Sequence, residues 1–252
     1  MNMITTGARN VRNGLFIAGT NTGVGKTLVT AGIMRHLRKQ GLDVVSMKPV
    51  QTGGLPGAEG LSAPDLDFHL AASGLSITSE ERALMSPYVY EPACSPHLAG
   101  RLAGHYVNLD HCQSCGEHLA AAHQGVLIEG AGGLMTPLNE EETQLGLVIQ
   151  FGAPVLLVAH IGLGTISHCL LTLETLREAE VPIAGVIFSA IAPGDGEDFI
   201  GRDNPDAVAQ FGAVEVLGNV PWLGELEGDA AWEQFDARVP GLAKIASYFS
   251  PE

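Results

Sequence analysis

The stretch Gly19-Thr20-Asn21-Thr22-Gly23-Val24-Gly25-Lys26-Thr27 ends in the Gly-Lys-Thr of a phosphate-binding loop. Such a loop offers several backbone N–H groups to an anion at a helix N-terminus. Its lysine reaches the β- and γ-phosphates, and its threonine hydroxyl ligates Mg²⁺. The usual spacing is four residues between the glycines; from Gly19 to Gly25 there are five, 20–24, and Thr20 stands where a glycine is expected. The motif also demands a buried strand before it and a helix after it, and both are legible here. A chance Gly-Lys-Thr in an ordinary strand–turn–helix explains that context poorly.

Three further positions carry charge where chemistry would need it. Glu129 ends the apolar run "VLIE", the place of the acidic residue in a nucleotide-binding site; a carboxylate merely capping the next turn is the plainer reading. Asp65 and Asp67 open a helix after Ser62 and Pro64. Acids there are favourable helix-start charges, and either one could be a ligand; spacing alone does not choose. Lys48, fixed by Pro49 at the end of a strand, would stabilise charge on a transferring phosphoryl group or a carboxylate, unless it simply snorkels to the surface.

These residues need a frame. Short runs rich in Val, Ile and Leu read as buried strands at 14–19, 43–50, 125–130, 153–160 and 183–191, with a weaker one at 215–221. Helical patterns fall at 26–40, 108–123, 142–151, 165–179 and 203–211, the last expected to start at Asp203-Asn204-Pro205. Residues 53–104 are less regular, with short helices. Strands alternating with helices predict an α/β fold, a parallel sheet flanked by helices on both faces, with ligands at the carboxyl ends of the strands. That edge collects Lys26, Thr27, Lys48, Thr52, Glu129, Ser189 and Pro221-Trp222. The expectation is a single P-loop-type domain over 1–252, with 1–13 a disordered lead-in.

Thirteen basic against 28 acidic residues, a formal charge of −15, argues against a nucleic-acid or anionic-membrane surface. No apolar run is long enough to span a bilayer, and the N-terminus lacks the apolar segment of a signal peptide; a cytoplasmic location is expected. Of four cysteines, Cys112 and Cys115 lie near His111 and His118, a set able to ligate zinc. Leu109, Cys112, Cys115 and Leu119 also recur on one helix face, and His111 is read as lying well round the helix from Cys115. Buried small residues are therefore the expected role of the thiols.

In this order and spacing, "GTNTGVGKT", "KPVQTG", "EPACSPHLAG", "VLIEGAGGLMTPL", "GLGTISHCLLT" and "GNVPWL" resemble the dethiobiotin synthetases, ATP-dependent carboxylases of biotin synthesis, from Leu15 to about Trp222. The longer loop is that family's version. The resemblance implies ATP and Mg²⁺ as cofactors, diaminopelargonic acid and CO₂ as substrates, and a homodimer with "GLGTISH" at the interface and substrate end. It makes Lys26 and Lys48 the catalytic pair and gives Mg²⁺ to Thr27, Asp65 (rather than Asp67) and Glu129. Thr22 and Thr52 would contact substrate. Nucleotide binding would fall to Gly23, Val24, Gly25, Lys26, Thr27, Leu28, Asp65, Glu129, Gly130, Ala131, Gly132, Ser189, Pro221, Trp222 and Leu223.

Two positions depart from the family pattern. Gly23 stands where an acidic residue is frequent. Ser189 stands where an asparagine usually reads the adenine edge, and it offers one rotatable hydroxyl in place of a fixed donor–acceptor pair. Nucleotide selectivity is then either looser or carried by backbone groups near Pro221 to Leu223. The nearest rival, a partitioning or septum-positioning ATPase switch, wants a signature lysine where this chain has Asn21. Amidotransferase synthetases of the cobyrinic-acid type carry a further glutaminase domain, for which this chain is too short.

Overall fold

Residues 11, 13–57, 60–224 and 228–249 are described by the structure, a computed structural model. Along the chain the elements are β1 (Gly14–Gly19), α1 (Lys26–Lys39), β2 (Val44–Met47), β3 (Val50–Thr52), β4 (Leu55–Gly57), β5 (Gly60–Ser62), α2 (Pro64–Ser73), α3 (Ser79–Met85), β6 (Tyr88–Tyr90), α4 (Pro96–Ala103) and α5 (Leu109–Ala122). There follow β7 (Gly125–Gly133), α6 (Gln144–Phe151), β8 (Val155–His160), α7 (Thr165–Glu178), β9 (Ile183–Ser189), α8 (Phe199–Gly212), β10 (Val216–Val220), α9 (Asp229–Arg238) and α10 (Leu242–Ser247).

The period-two geometry of a strand explains why these apolar runs are continuous. In β1, Phe16 and Ala18 point to one face of the sheet, and Leu15 and Ile17 to the other. Both faces are covered, so both sets must be apolar. On the first face pack Cys112, Cys115 and Leu119 of α5, Phe151 of α6, Leu173 of α7 and Val208 of α8. On the second pack Val29, Ile33 and Leu37 of α1, Phe235 of α9 and Ile245 of α10. The expected helices on both faces are thus observed.

All six main strands run parallel in the order β10-β9-β8-β1-β7-β2. The chain leaves β1 for the β2 edge, returns to fill β7 beside β1, then crosses to β8 on its other side. The strand order therefore reverses around β1, where an open parallel sheet forms its binding crevice.

Several boundaries differ from expectation for physical reasons. The predicted 43–50 strand is two strands: Lys48 and Pro49 leave the main sheet after Met47, and β3 pairs with β6 in a separate ribbon. Helix α8 begins at Phe199, before the predicted Asp203, because the Asp198 side chain caps it by accepting from the Gly201 N–H; Pro205 then lies inside the helix. Of the predicted lead-in, residues 1–10 and 12 lie outside the described residues. Val11 is buried and its N–H donates to Phe151 O (3.0 Å). Among the described residues no helix is long and apolar enough to cross a membrane.

Candidate active site

A cavity of about 1110 Å³ opens at the carboxyl edge of the sheet. The loop after β1 supplies Thr22, Gly23, Gly25, Lys26, Thr27 and Leu28 to its wall; Lys48, Thr52, Asp65, Glu129, Ala131, Gly132, Ser189 and Trp222 complete most of the predicted set. Val24 and Gly130 are buried behind this surface, and Gly130 contributes its carbonyl to Lys48 (3.4 Å). Pro221 and Leu223 flank Trp222 without lining the cavity; Leu223 packs against the core.

The loop is shaped for an anion by its glycines. Gly23 and Gly25 sit at φ of 74° and 96°, a region where only glycine is unstrained. A side chain on Gly19 would collide with Lys26, its Cβ falling 2.7 Å from Nζ. That vacancy lets the buried lysine fold back over the loop, where Nζ donates to Asn21 O (2.8 Å). Burial, helped by the nearby Lys48 charge, pushes the Lys26 pKa down to about 8.

Lys48 does not snorkel. It is 4% exposed, and its ammonium lies 2.7 Å from both Asp65 Oδ2 and Glu129 Oε1. Burial alone would lower its pKa, but the two carboxylates outweigh it and raise it. Glu129, 1% exposed, shows the mirror case: burial would raise its pKa, whereas Lys48 and His69 hold it well below the usual carboxylate range. Thr27 Oγ1 donates to the same Glu129 Oε1 at 2.9 Å.

The structure separates the two aspartates that spacing left open. Asp65 faces Lys48, whereas Asp67, about 200° round α2, pairs with Arg82 (2.6 Å). Residues four apart share a helix face, and so His69 lies beside Asp65 and reaches Glu129 Oε2 (2.8 Å). His69 was missed in the sequence, although its spacing from Asp65 was a usable signal. Gln51 and Gln144 were also missed. The first accepts from the Asp65 N–H (3.2 Å), and the second from the Ala131 N–H (3.0 Å), fixing the turn after Glu129.

Ser189 lies in the cavity wall with its side chain fully buried; its hydroxyl donates to Ala190 O (3.3 Å). The Cys112 and Cys115 thiols are buried with Leu109 and Leu119 as expected, and burial pushes both thiols up. One expectation is corrected: His111 is a helical turn from Cys115, its Nε2 3.8 Å from Sγ. His118 instead turns to Ser114 O (2.6 Å). Among the described residues no three His, Cys, Asp or Glu side chains gather to hold a metal ion.

The chain matches a family model described as an AAA domain over residues 13–230. It is 42% identical over 214 residues to an ATP-dependent dethiobiotin synthetase BioD of Anaeromyxobacter sp. (strain Fw109-5), covering 84% of this chain and 92% of that protein. A protein of the same name from Thermodesulfovibrio yellowstonii is 35% identical, with 90% and 97% covered. The chain belongs to the dethiobiotin synthetase family. As a member of that family it is an ATP-dependent enzyme of the ligase class. Among solved structures, the septum site-determining protein MinD complexed with Mg-ADP from Pyrococcus horikoshii covers 93% of both chains at a TM-score of 0.55 and 16% identity. That likeness shows a P-loop NTPase fold and nothing finer. The rival switch reading shares the fold, but the dethiobiotin synthetases share the sequence.

Proposed function

We propose that this chain carboxylates 7,8-diaminopelargonic acid with CO₂ and closes the ureido ring of dethiobiotin, consuming ATP. The observation that carries this reading is the Lys48 ammonium clamped between Asp65 and Glu129, within the same cavity as Lys26 and the phosphate loop. The names of the relatives support the substrate. One amine adds to CO₂ and loses a proton, giving a carbamate. A carbamate oxygen takes the γ-phosphoryl group from ATP, releasing ADP and leaving a carbamic-phosphoric anhydride. The second amine attacks the anhydride carbon, phosphate departs with the C–O electron pair, and loss of the amine proton completes the cyclic urea.

Lys26 neutralises charge on the transferring phosphoryl group. Lys48 holds the carbamate and then its phosphorylated form, its ammonium supplying the positive charge that the developing negative charge needs. Thr22 and Thr52 hold substrate by their hydroxyls, and the turn Gly130-Ala131-Gly132 bounds the phosphate region. Trp222 flanks the base of the nucleotide, held in the cavity wall by its neighbours Pro221 and Leu223.

Thr27, Asp65 and Glu129 would hold Mg²⁺. These hard oxygen donors suit it, with phosphate and water completing the shell, and a cation already lies between the two carboxylates as the Lys48 ammonium. When bound, the ion supplies charge neutralisation of the phosphates. Exposed Leu163 and Leu171 around a second hollow at the start of α7 support a homodimer built on the "GLGTISH" segment. The enzyme is proposed to work in the cytoplasm.

Phosphate release with MgATP and bicarbonate, with and without 7,8-diaminopelargonic acid and in parallel with CTP and GTP, tests the reaction. Release is expected only with the diamine. Release independent of it, or none with any nucleotide, would overturn the substrate assignment.

A pH dependence follows from Lys26. Its pKa near 8 means that the free protein loses this ammonium as pH rises through 8, whereas a bound triphosphate favours the charged form. Binding above pH 8 therefore takes up a proton, and affinity falls with rising pH, by about tenfold between pH 7 and pH 9. Calorimetry in two buffers of different ionisation enthalpy reads both effects; constant affinity across that range would refute the assignment.

A further inference from the structure

The two oxygens of Glu129 are not equivalent. Oε1 faces the phosphate loop, where it accepts from Thr27 Oγ1 and Lys48 Nζ. Oε2 points into the protein, where it meets His69 Nε2 at 2.8 Å. His69 is fully buried, and its other ring nitrogen lies 3.1 Å from the Oγ of Ser46, also fully buried. A carboxylate only accepts hydrogen bonds, so Nε2 carries the proton it gives to Glu129. Ser46, on β2, fixes the plane of the ring.

A buried histidine can be no more than a satisfied piece of core. This one is aimed at the single carboxylate that also binds the loop threonine and Lys48. It shares a face of α2 with Asp65, so one helix positions both the second carboxylate at Lys48 and the imidazole at Glu129. Without a donor at Oε2, the buried carboxylate is anchored at Oε1 alone and is free to turn about its last bond, so the direction of Oε1 is less well fixed.

We propose that His69, steadied by Ser46, is a positioning residue that engages Glu129 Oε2 and thereby reserves Oε1 for the magnesium–nucleotide side of the site. This rests on the proposed role of Glu129 toward Mg²⁺. Groups that orient a metal ligand typically change metal affinity by about 10–100-fold when removed.

The test is calorimetric binding of ADP to the intact protein across a Mg²⁺ titration, with no turnover, alongside thermal melts without metal. His69→Leu should raise the Mg²⁺ midpoint about tenfold while leaving the affinity for metal-free ADP unchanged. His69→Gln, which keeps an N–H donor near Oε2, should keep the midpoint close to that of the wild type. Ser46→Ala should shift it in the same direction as His69→Leu, and less. A wild-type midpoint in His69→Leu overturns the proposal. So does an equal shift in the Gln variant, which would mark a packing role. If His69→Leu does not fold, Ser46→Ala decides, and an unmoved midpoint there overturns it. Glu129→Gln separates the two readings: a wild-type Mg²⁺ dependence in that variant sinks the metal role of Glu129 itself, whereas a lost dependence beside an unaffected His69→Leu sinks only the role of His69.

Discussion

Lys48→Met is expected to lower kcat by about 10³, the upper end of what one lost charge-stabilising donor costs in a preorganised site. The side chain keeps most of its length and apolar stem, so packing is largely retained and the lost element is the charge. Nucleotide affinity should change less than about threefold, because in the proposed reaction Lys26 and the loop grip the γ-phosphate and Lys48 serves the carbamate. The same substitution removes the cation between Asp65 and Glu129. Breaking a buried pair costs about 3–5 kcal/mol; Glu129 retains Thr27 and His69, which favours the lower end. A loss of about 3 kcal/mol corresponds to a melting point lower by roughly 6–12 °C in a chain of this size. Single-turnover phosphate release, calorimetry and thermal melts read the three effects. A kcat within tenfold of wild type would remove Lys48 from the reaction. Lys48→Arg should not restore activity, since a planar fork cannot reproduce the point contacts of an ammonium with two carboxylates.

What the sequence revealed and what it hid divide along a physical line. Continuous apolar runs announced the buried parallel strands because both faces of the sheet are covered, and the loop announced itself because its chemistry needs glycines at fixed places. The charged residues at strand ends were visible as anomalies in apolar surroundings. The partners of those residues were not visible. His69 and Ser46 look like ordinary polar residues until the fold brings α2 against β2 and β7, since the contact with Glu129 spans 60 positions. The split of 43–50 was hidden because Pro49 stops the ladder while the apolar pattern continues into Val50. Spacing left Asp65 and Asp67 open and only the family resemblance pointed to Asp65; the physical reason, the pairing of Asp67 with Arg82, comes from another helix. The start of α8 was misplaced because Pro205 imitates a first-turn proline, although the actual cap is Asp198.

Gly25→Ala should weaken nucleotide binding at least about 100-fold, or about 2.7 kcal/mol. Two separate costs combine. At φ 96° and ψ 13° a Cβ is strained by roughly 1–2 kcal/mol, as for any L-residue forced toward the left-handed region. The added methyl would also fall 2.4 Å from Ser189 Oγ and 2.8 Å from its Cβ; the hydroxyl can rotate, but the Cβ is held by the backbone of β9. The loop must lift, and its N–H groups lose their aim at the phosphates. Ser189→Gly placed on top removes the collision and leaves the strain, so the double variant should regain about tenfold of the lost affinity and no more. Single binding of Gly25→Ala within threefold of wild type would refute the close approach of loop and strand. The same geometry sets the role of Ser189. Its hydroxyl is turned to the Ala190 carbonyl beneath Gly25, so Ser189→Ala is expected to leave the ranking of ATP over CTP and GTP unchanged. Selectivity then has to come from the backbone that borders the base. A ranking that collapses in Ser189→Ala would instead mean that the hydroxyl rotates out to read the nucleotide once it binds.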